Sequence, residues 1–202
     1  MTNSLILFVR NLQHGRVKSR IAREKGAETA YLVYEQLLYN LKNSITKNEV
    51  DGAIEVCYSD FIDDSDKWPF PVEKTLQKGN DLGERMYNAL NRKLKIKSKV
   101  ILVGSDIPDL SMKQIEEGFR LLDKYDVVIG PTFDGGYYLL GMSENHPYLF
   151  NNIEWSTNHV FSDSVQLINN HNNTYSELQK LLDVDKWNDV PKDMRNRINK
   201  KK

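Results

Sequence analysis

The 202-residue sequence predicts an α/β fold, a three-layer sandwich on a largely parallel sheet. Three observations lead there. Apolar runs at residues 5–9 and 100–103 have the pattern of strands covered on both faces. Segments of ten or more residues with apolar positions at helical spacing alternate with such runs. Polar segments rich in glycine, aspartate or basic residues follow several of the strands directly, and sheets of this kind bind ligands outside the carboxyl ends of their strands.

Residues 5–9 are the first strand, and the polar, basic stretch 11–20 is a loop. Between residues 27 and 45, Ala30, Tyr34, Leu37, Leu38, Leu41 and Ile45 recur at helical spacing. That stripe is expected to pack in the core and not to touch ligand. Ile54, Val56 and Tyr58 alternate as a second strand, residues 60–71 form an acidic loop, and 72–76 a short strand. Leu82, Met86, Ala89, Leu90 and Leu94 mark a helix. After the strand at 100–103, Ser111 and Gln114 form a capping box opening the helix of Ile115, Phe119 and Leu122. Residues 127–129 are a strand, Asp134-Gly135-Gly136 a turn, 137–140 a returning strand and 160–169 a helix. Residues 181–184 read as a last short strand, before a polar helix and the Lys200-Lys201-Lys202 terminus.

Length favours a single domain, 1–202, with its core at about 4–190 and a basic tail at 191–202. A 40% hydrophobic chain of this size can bury a core. The 28 basic and 28 acidic residues cancel, so nothing in the charge points to nucleic acid. One cysteine, Cys57, allows no internal disulfide and makes a cytoplasmic location the default. The first apolar run is too short to span a membrane and lacks a basic leader.

Five segments could carry chemistry. Gly15-Arg16-Val17-Lys18-Ser19-Arg20 concentrates three cations after the first strand, suited to phosphate. Asp106, after the strand at 100–103 and Ser105, is placed to hold a divalent cation. Asp134 to Tyr138 is a hairpin signal whose glycines also permit close approach to a ligand. In Asp183-Val184-Asp185 the two carboxylates would share a strand face, so both, or Asp185 alone, could meet a cation. Residues 79–86 open a helix whose free amides would suit an anion. The four histidines show no ligand spacing, and no hydrolase nucleophile pattern occurs.

Taken in order, Gly15 to Arg20, Gln77 with Gly79 to Met86, Gly104 to Pro108, Gly130-Pro131, Asp134 to Tyr138, Trp155-Ser156-Thr157 and Asp183-Val184-Asp185 resemble a bacterial GT-A-like family. That family is labelled radical-SAM/selenodomain-associated transferase. The chain is more distantly similar to phospholactate guanylyltransferases and molybdenum-cofactor nucleotidyltransferases. The resemblance spans residues 4–190 and implies the nucleotide-diphospho-sugar transferase (GT-A) fold. It departs from the family pattern at Lys186-Trp187, where Thr-Pro is usual, and at Ile107, where cysteine is common.

The resemblance implies nucleotide binding by Gly15, Arg16, Lys18, Arg20, Gln77, Gly79, Asp81, Gly83 and Ser105. It implies acceptor contacts from Gly135, Gly136, Tyr137, Trp155, Ser156 and Thr157, and Mg2+ (or Mn2+) on Asp106 and Asp185. Lys18, Asp106 and Asp134 are the catalytic candidates. The expected partners are a nucleoside triphosphate or nucleotide sugar and a small-molecule acceptor. Nucleotidyl transfer to a phosphate-bearing acceptor fits best, because a phosphate nucleophile needs no general base. The alternatives are glycosyl transfer, with Asp134 as base, and a nucleotide-binding module without turnover. The sequence leaves oligomeric state open.

Overall fold

The computed structural model describes residues 3–45 and 52–201, except the Lys201 side chain; Met1, Thr2 and Lys202 lie outside the described residues. Seven strands form one mixed sheet. They are β1 (Asn3–Val9), β2 (Gly52–Tyr58), β3 (Glu73–Leu76), β4 (Lys99–Gly104), β5 (Val127–Pro131), β6 (Tyr137–Met142) and β7 (Tyr175–Glu177). Their spatial order is β3-β2-β1-β4-β6-β5-β7. β1 pairs in parallel with β2 and β4, β2 with β3, and β5 with β7. Only β6 is reversed, antiparallel to both β4 and β5.

The alternation within β1 explains the layers. Leu5, Leu7 and Val9 face a cluster holding Leu41 of α2 (Ala27–Ser44) and Ile115 and Phe119 of α4 (Met112–Leu121). Ile6 and Phe8 face the opposite layer. There they meet Met86, Ala89 and Leu90 of α3 (Leu82–Leu94) and Ile168 of α5 (Val160–Asn170). Burial on both sides is what the continuous apolar runs encode, and the result is the predicted α/β three-layer sandwich. A third cluster joins α1 (Ser19–Lys25), α2 and α6 (Lys192–Lys201). Met194 and Ile198 of α6 are buried in it, so the packed part of the chain continues past residue 190. Among the described residues, no helix is long and apolar enough to cross a membrane.

Three elements differ from expectation. Residues 181–184 are not a strand; Leu181 makes a single parallel bridge to Thr132. This segment instead crosses the ends of other strands, with Leu181 N–H donating to Pro131 O (3.1 Å) and Val184 N–H to Asp106 O (2.9 Å). The last strand is β7, a three-residue Tyr-Ser-Glu edge with too little apolar pattern to read. The loop expected to run to Arg20 ends earlier, because α1 begins at Ser19; with Ile21 its one fully buried residue, it lacks a stripe.

Candidate active site

Six of the seven strands run the same way, so their carboxyl ends share one edge. β6 starts there, which puts the β5–β6 hairpin at that edge too. Along it lies a cleft of about 870 Å³, continuous through shared lining residues with a hollow of about 480 Å³.

Lys18 anchors one wall. Its backbone is left-handed (φ 47, ψ 53) at the entry to α1, a strained conformation for a residue with a Cβ. The side chain is only 7% exposed, and Nζ lies 2.7 Å from Asp106 Oδ1 while donating to Val184 O at 2.6 Å. One lysine thus ties β1's loop to the end of β4 and to the 183–185 segment. Arg20 pairs with Asp185. Arg16 and Arg10 also line the cleft, and among the described residues neither guanidinium makes an ion pair.

The carboxylates share that cleft. Asp106 and Asp185 line the same cleft, on one side of the molecule. Burial pushes Asp183 up to about 6, with the Asp134 charge adding to the effect, Lys18 opposing it and Asp106 reinforcing it. Asp183 lines the cleft together with Asp106 and Asp134, whereas Asp185 is engaged by Arg20. Asp134 is locked in its turn: it accepts from Thr132 Oγ1 (2.6 Å) and Gly136 N–H (3.1 Å).

The floor is Tyr34. Its hydroxyl accepts from Arg10 N–H (2.7 Å) and lies 2.9 Å from Ser105 Oγ and 3.2 Å from Arg10 O. Burial, then the Asp106 charge, push its proton loss well above the usual phenol range. Tyr34 belongs to the stripe expected to stay clear of the cleft. The other stripe residues do, but the tyrosine is long enough to reach the lining from beneath.

The cleft and hollow gather most of the predicted residues: Arg16, Lys18, Arg20, Gln77, Asp81, Ser105, Asp106, Asp134, Gly136, Tyr137, Trp155, Ser156, Thr157 and Asp185. Gly15, Gly79, Gly83 and Gly135 do not line them. Three of these glycines are required by packing, Gly79 because a Cβ there would lie 2.7 Å from Arg85 N. A Cβ on Gly135 (φ +93) would lie 2.1 Å from Asn158 O, and one on Gly83 would lie 2.1 Å from Trp155 Nε1. The start of α3 is also less open than expected. Asp81 accepts from Glu84 N–H (2.8 Å) and Glu84 from Asn80 N–H (2.8 Å), so these amides cap one another's segments. Arg10, Leu82, Phe133 and Leu182 line the cleft without having been singled out in the sequence as site residues, and Asp183, weighed there as a cation contact, lines it too. Only Asp183 carried a signal, as the other half of Asp183-Val184-Asp185.

Residues 44–157 match the model of a family described as "Uncharacterized protein conserved in bacteria (DUF2064)". The chain belongs to that family. The stretch shared with the DUF2064 model includes Asp106, the Asp134 hairpin and Trp155; the basic loop and Asp183 lie outside it. No curated protein matches the chain. Among solved structures, it is similar to a Desulfovibrio desulfuricans G20 protein proposed to be a nucleotide-diphospho-sugar transferase. That pair is 29% identical, with TM-score 0.83, covering 92% of this chain and 84% of the other. A 4-diphosphocytidyl-2C-methyl-D-erythritol synthase from Anaerococcus prevotii DSM 20548 shares the fold at 14% identity and TM-score 0.56, covering 94% of each chain. The inositol-1-phosphate CTP transferase from T. maritima does so at 13% and 0.53, covering 99% and 96%. The DUF2064 chain thus has the nucleotide-diphospho-sugar transferase fold.

Proposed function

We propose that this DUF2064 chain is a magnesium-dependent nucleotidyltransferase moving a nucleotidyl group from a nucleoside triphosphate to a phosphate-bearing acceptor. One observation carries the reading: the guanidinium groups of Arg10 and Arg16, which make no ion pair among the described residues, line one cleft with the carboxylates of Asp106, Asp134 and Asp183. The cations suit phosphate oxygens and the carboxylates suit a hard divalent cation. Among the described residues no three His, Cys, Asp or Glu side chains form a ready metal cage. Magnesium needs no such cage, since one or two carboxylates plus phosphate oxygens and water suffice. Burial raises Asp183 most and the Asp134 and Asp106 charges add to it, and a cation bound there would relieve that carboxyl.

Asp106 and Asp183 would hold the ion, with Asp185 orienting Arg20. When bound, magnesium would neutralise charge on the triphosphate. Arg10, Arg16, Lys18 and Arg20 grip the β- and γ-phosphates. The acceptor phosphate attacks the α-phosphorus, the bond to the bridging β-oxygen breaks, and pyrophosphate leaves against the same cations. No proton has to move, so no general base is called for. Sugar transfer is the second reading, favoured by the class proposed for the Desulfovibrio protein and by the fixed, cleft-lining Asp134 carboxylate.

Thermal unfolding against nucleoside triphosphates and nucleotide sugars, with and without magnesium, separates these readings. A bound ligand at 100 times its Kd stabilises by about 2.7 kcal/mol. The expected result is magnesium-dependent stabilisation by a triphosphate. Stabilisation by nucleotide sugars alone would favour the second reading, and stabilisation by neither would overturn both. Pyrophosphate release with added acceptor distinguishes an enzyme from a binding module.

A further inference from the structure

The cleft has a second character that phosphate chemistry does not use. Phe133, Leu182 and Leu82 are 67%, 37% and 42% exposed, and all three line the same cleft. Scattered exposed apolar side chains need no explanation, but a group on one cleft marks a binding surface. The fold puts two of them side by side. Thr132 and Leu181 form a parallel bridge and are both buried, so the next pair, Phe133 and Leu182, turns outward together. Leu82 opens α3 on the same cleft. Behind them stands an aromatic wall of Tyr137 and Trp155, edge to face at 6.4 Å. Lys180 Nζ lies 5.7 Å from the Phe133 ring centroid, so a cation flanks the apolar lip.

We propose that this lip, Phe133 with Leu182 and Leu82, receives the hydrocarbon or aromatic body of the acceptor. The acceptor is then a small, soluble amphiphile, apolar at one end and phosphorylated at the other; the phosphate rests on the nucleotidyl-transfer reading. A sugar-like or polyol acceptor would leave the three side chains facing water.

The probes are n-hexyl phosphate and glycerol 3-phosphate, titrated calorimetrically with magnesium into the wild type and a Phe133→Ser/Leu182→Ser variant. Burying most of a hexyl chain should make the wild type bind hexyl phosphate at least roughly tenfold tighter. In the double variant that preference should fall to within about twofold, with glycerol phosphate affinity and melting temperature unchanged. Both substituted side chains are exposed, so folding should survive. Equal wild-type affinities, no hexyl phosphate binding, or a preference that persists in the variant would each overturn the proposal. So would self-association by sedimentation that the variant abolishes while the preference stays. A hexyl preference without nucleotide-dependent stabilisation would support the lip and overturn nucleotidyl transfer.

Discussion

Two groups of charged side chains in this molecule look alike in composition and differ in completeness. On the α3 face of the sheet, Glu55 of β2 is fully buried. Its oxygens accept from Arg92 (2.8 and 2.5 Å) and Thr75 Oγ1 (2.6 Å), and Lys93 Nζ lies 2.8 Å away. Lys93, 3% exposed, also meets Glu73 at 2.5 Å. At the carboxyl edge, Asp106, Asp134 and Asp183 line one cleft with the buried Lys18 paired to Asp106, while Arg10 and Arg16 make no ion pair among the described residues. The outcome is visible in the carboxyls. Burial raises Glu55, but hydrogen bonds from Arg92, Lys93 and Thr75 outweigh it and hold the group below its ordinary value. Asp183 goes the other way, to about 6. A charge cluster whose bonds are all made is architecture; one that leaves charges over is waiting for something outside the chain.

The largest test of that contrast is Glu55→Ala. Removing the buried carboxylate leaves Arg92 without its partner and buried Lys93 with only the exposed Glu73, and the expected loss is about 3–5 kcal/mol in denaturant unfolding. If the loss is below about 1 kcal/mol, the cluster is not structural. Its pH dependence has a definite sign. Because the folded carboxyl is held low, its contribution is complete above the unfolded value of about 4.3 and disappears as pH falls through the lower folded value. The gap between wild type and Glu55→Gln should therefore narrow below about pH 4 and stay constant from 5 to 8.

The site cluster should respond in binding more than in folding, although Lys18→Ala also removes the tie to Asp106 and Val184. Lys18→Ala removes a charge-assisted contact and is expected to weaken magnesium-nucleotide binding by about 1.5–3 kcal/mol, read by calorimetry. Arg20→Ala should cost less, about 1 kcal/mol, because Arg20 is exposed and shared with Asp185. Unchanged affinity in both would end the phosphate-loop assignment. The smallest effect on stability belongs to Asp183→Asn. Taking away one of three cleft-lining carboxylates should leave the melting temperature unchanged or slightly raised, while abolishing the magnesium dependence of nucleotide binding. A drop of several degrees would show that Asp183, like Glu55, is architecture.

Residues 5–9 and 100–103 were legible because a strand buried on both faces writes its environment into every residue. Helix α2 was legible because one stripe of it is buried. Helix α1 and strand β7 carry no such imprint: Ile21 alone cannot define a period, and Tyr-Ser-Glu at a sheet edge is nearly as polar as a loop. The choice of Asp185 over Asp183 came from the family resemblance, because strand parity put both carboxylates on one face, and did so in a segment that forms no strand. Asp106, Asp134 and the basic loop could be singled out because each follows a strand of the sheet directly. Arg10, Phe133 and Leu182 could not, since an exposed arginine, phenylalanine or leucine has no meaning until the fold shows what stands across from it.

The reversal of β6 has a further consequence. A parallel neighbour to β5 would have required a crossover of a dozen or more residues before the chain could pair again. The hairpin needs only residues 132–136, and its tip is held by the Asp134 side chain to Thr132 and Gly136 and by Phe161 N–H to Gly135 O. The tip is also where Phe133 and Asp134 enter the cleft. A change of one or two residues there would redraw this part of the cleft, while the strands on either side, paired from Val127 to Met142, keep their register. The fold thus separates what must stay fixed from what can vary, and gives descendants of this chain a short route to a differently shaped cleft.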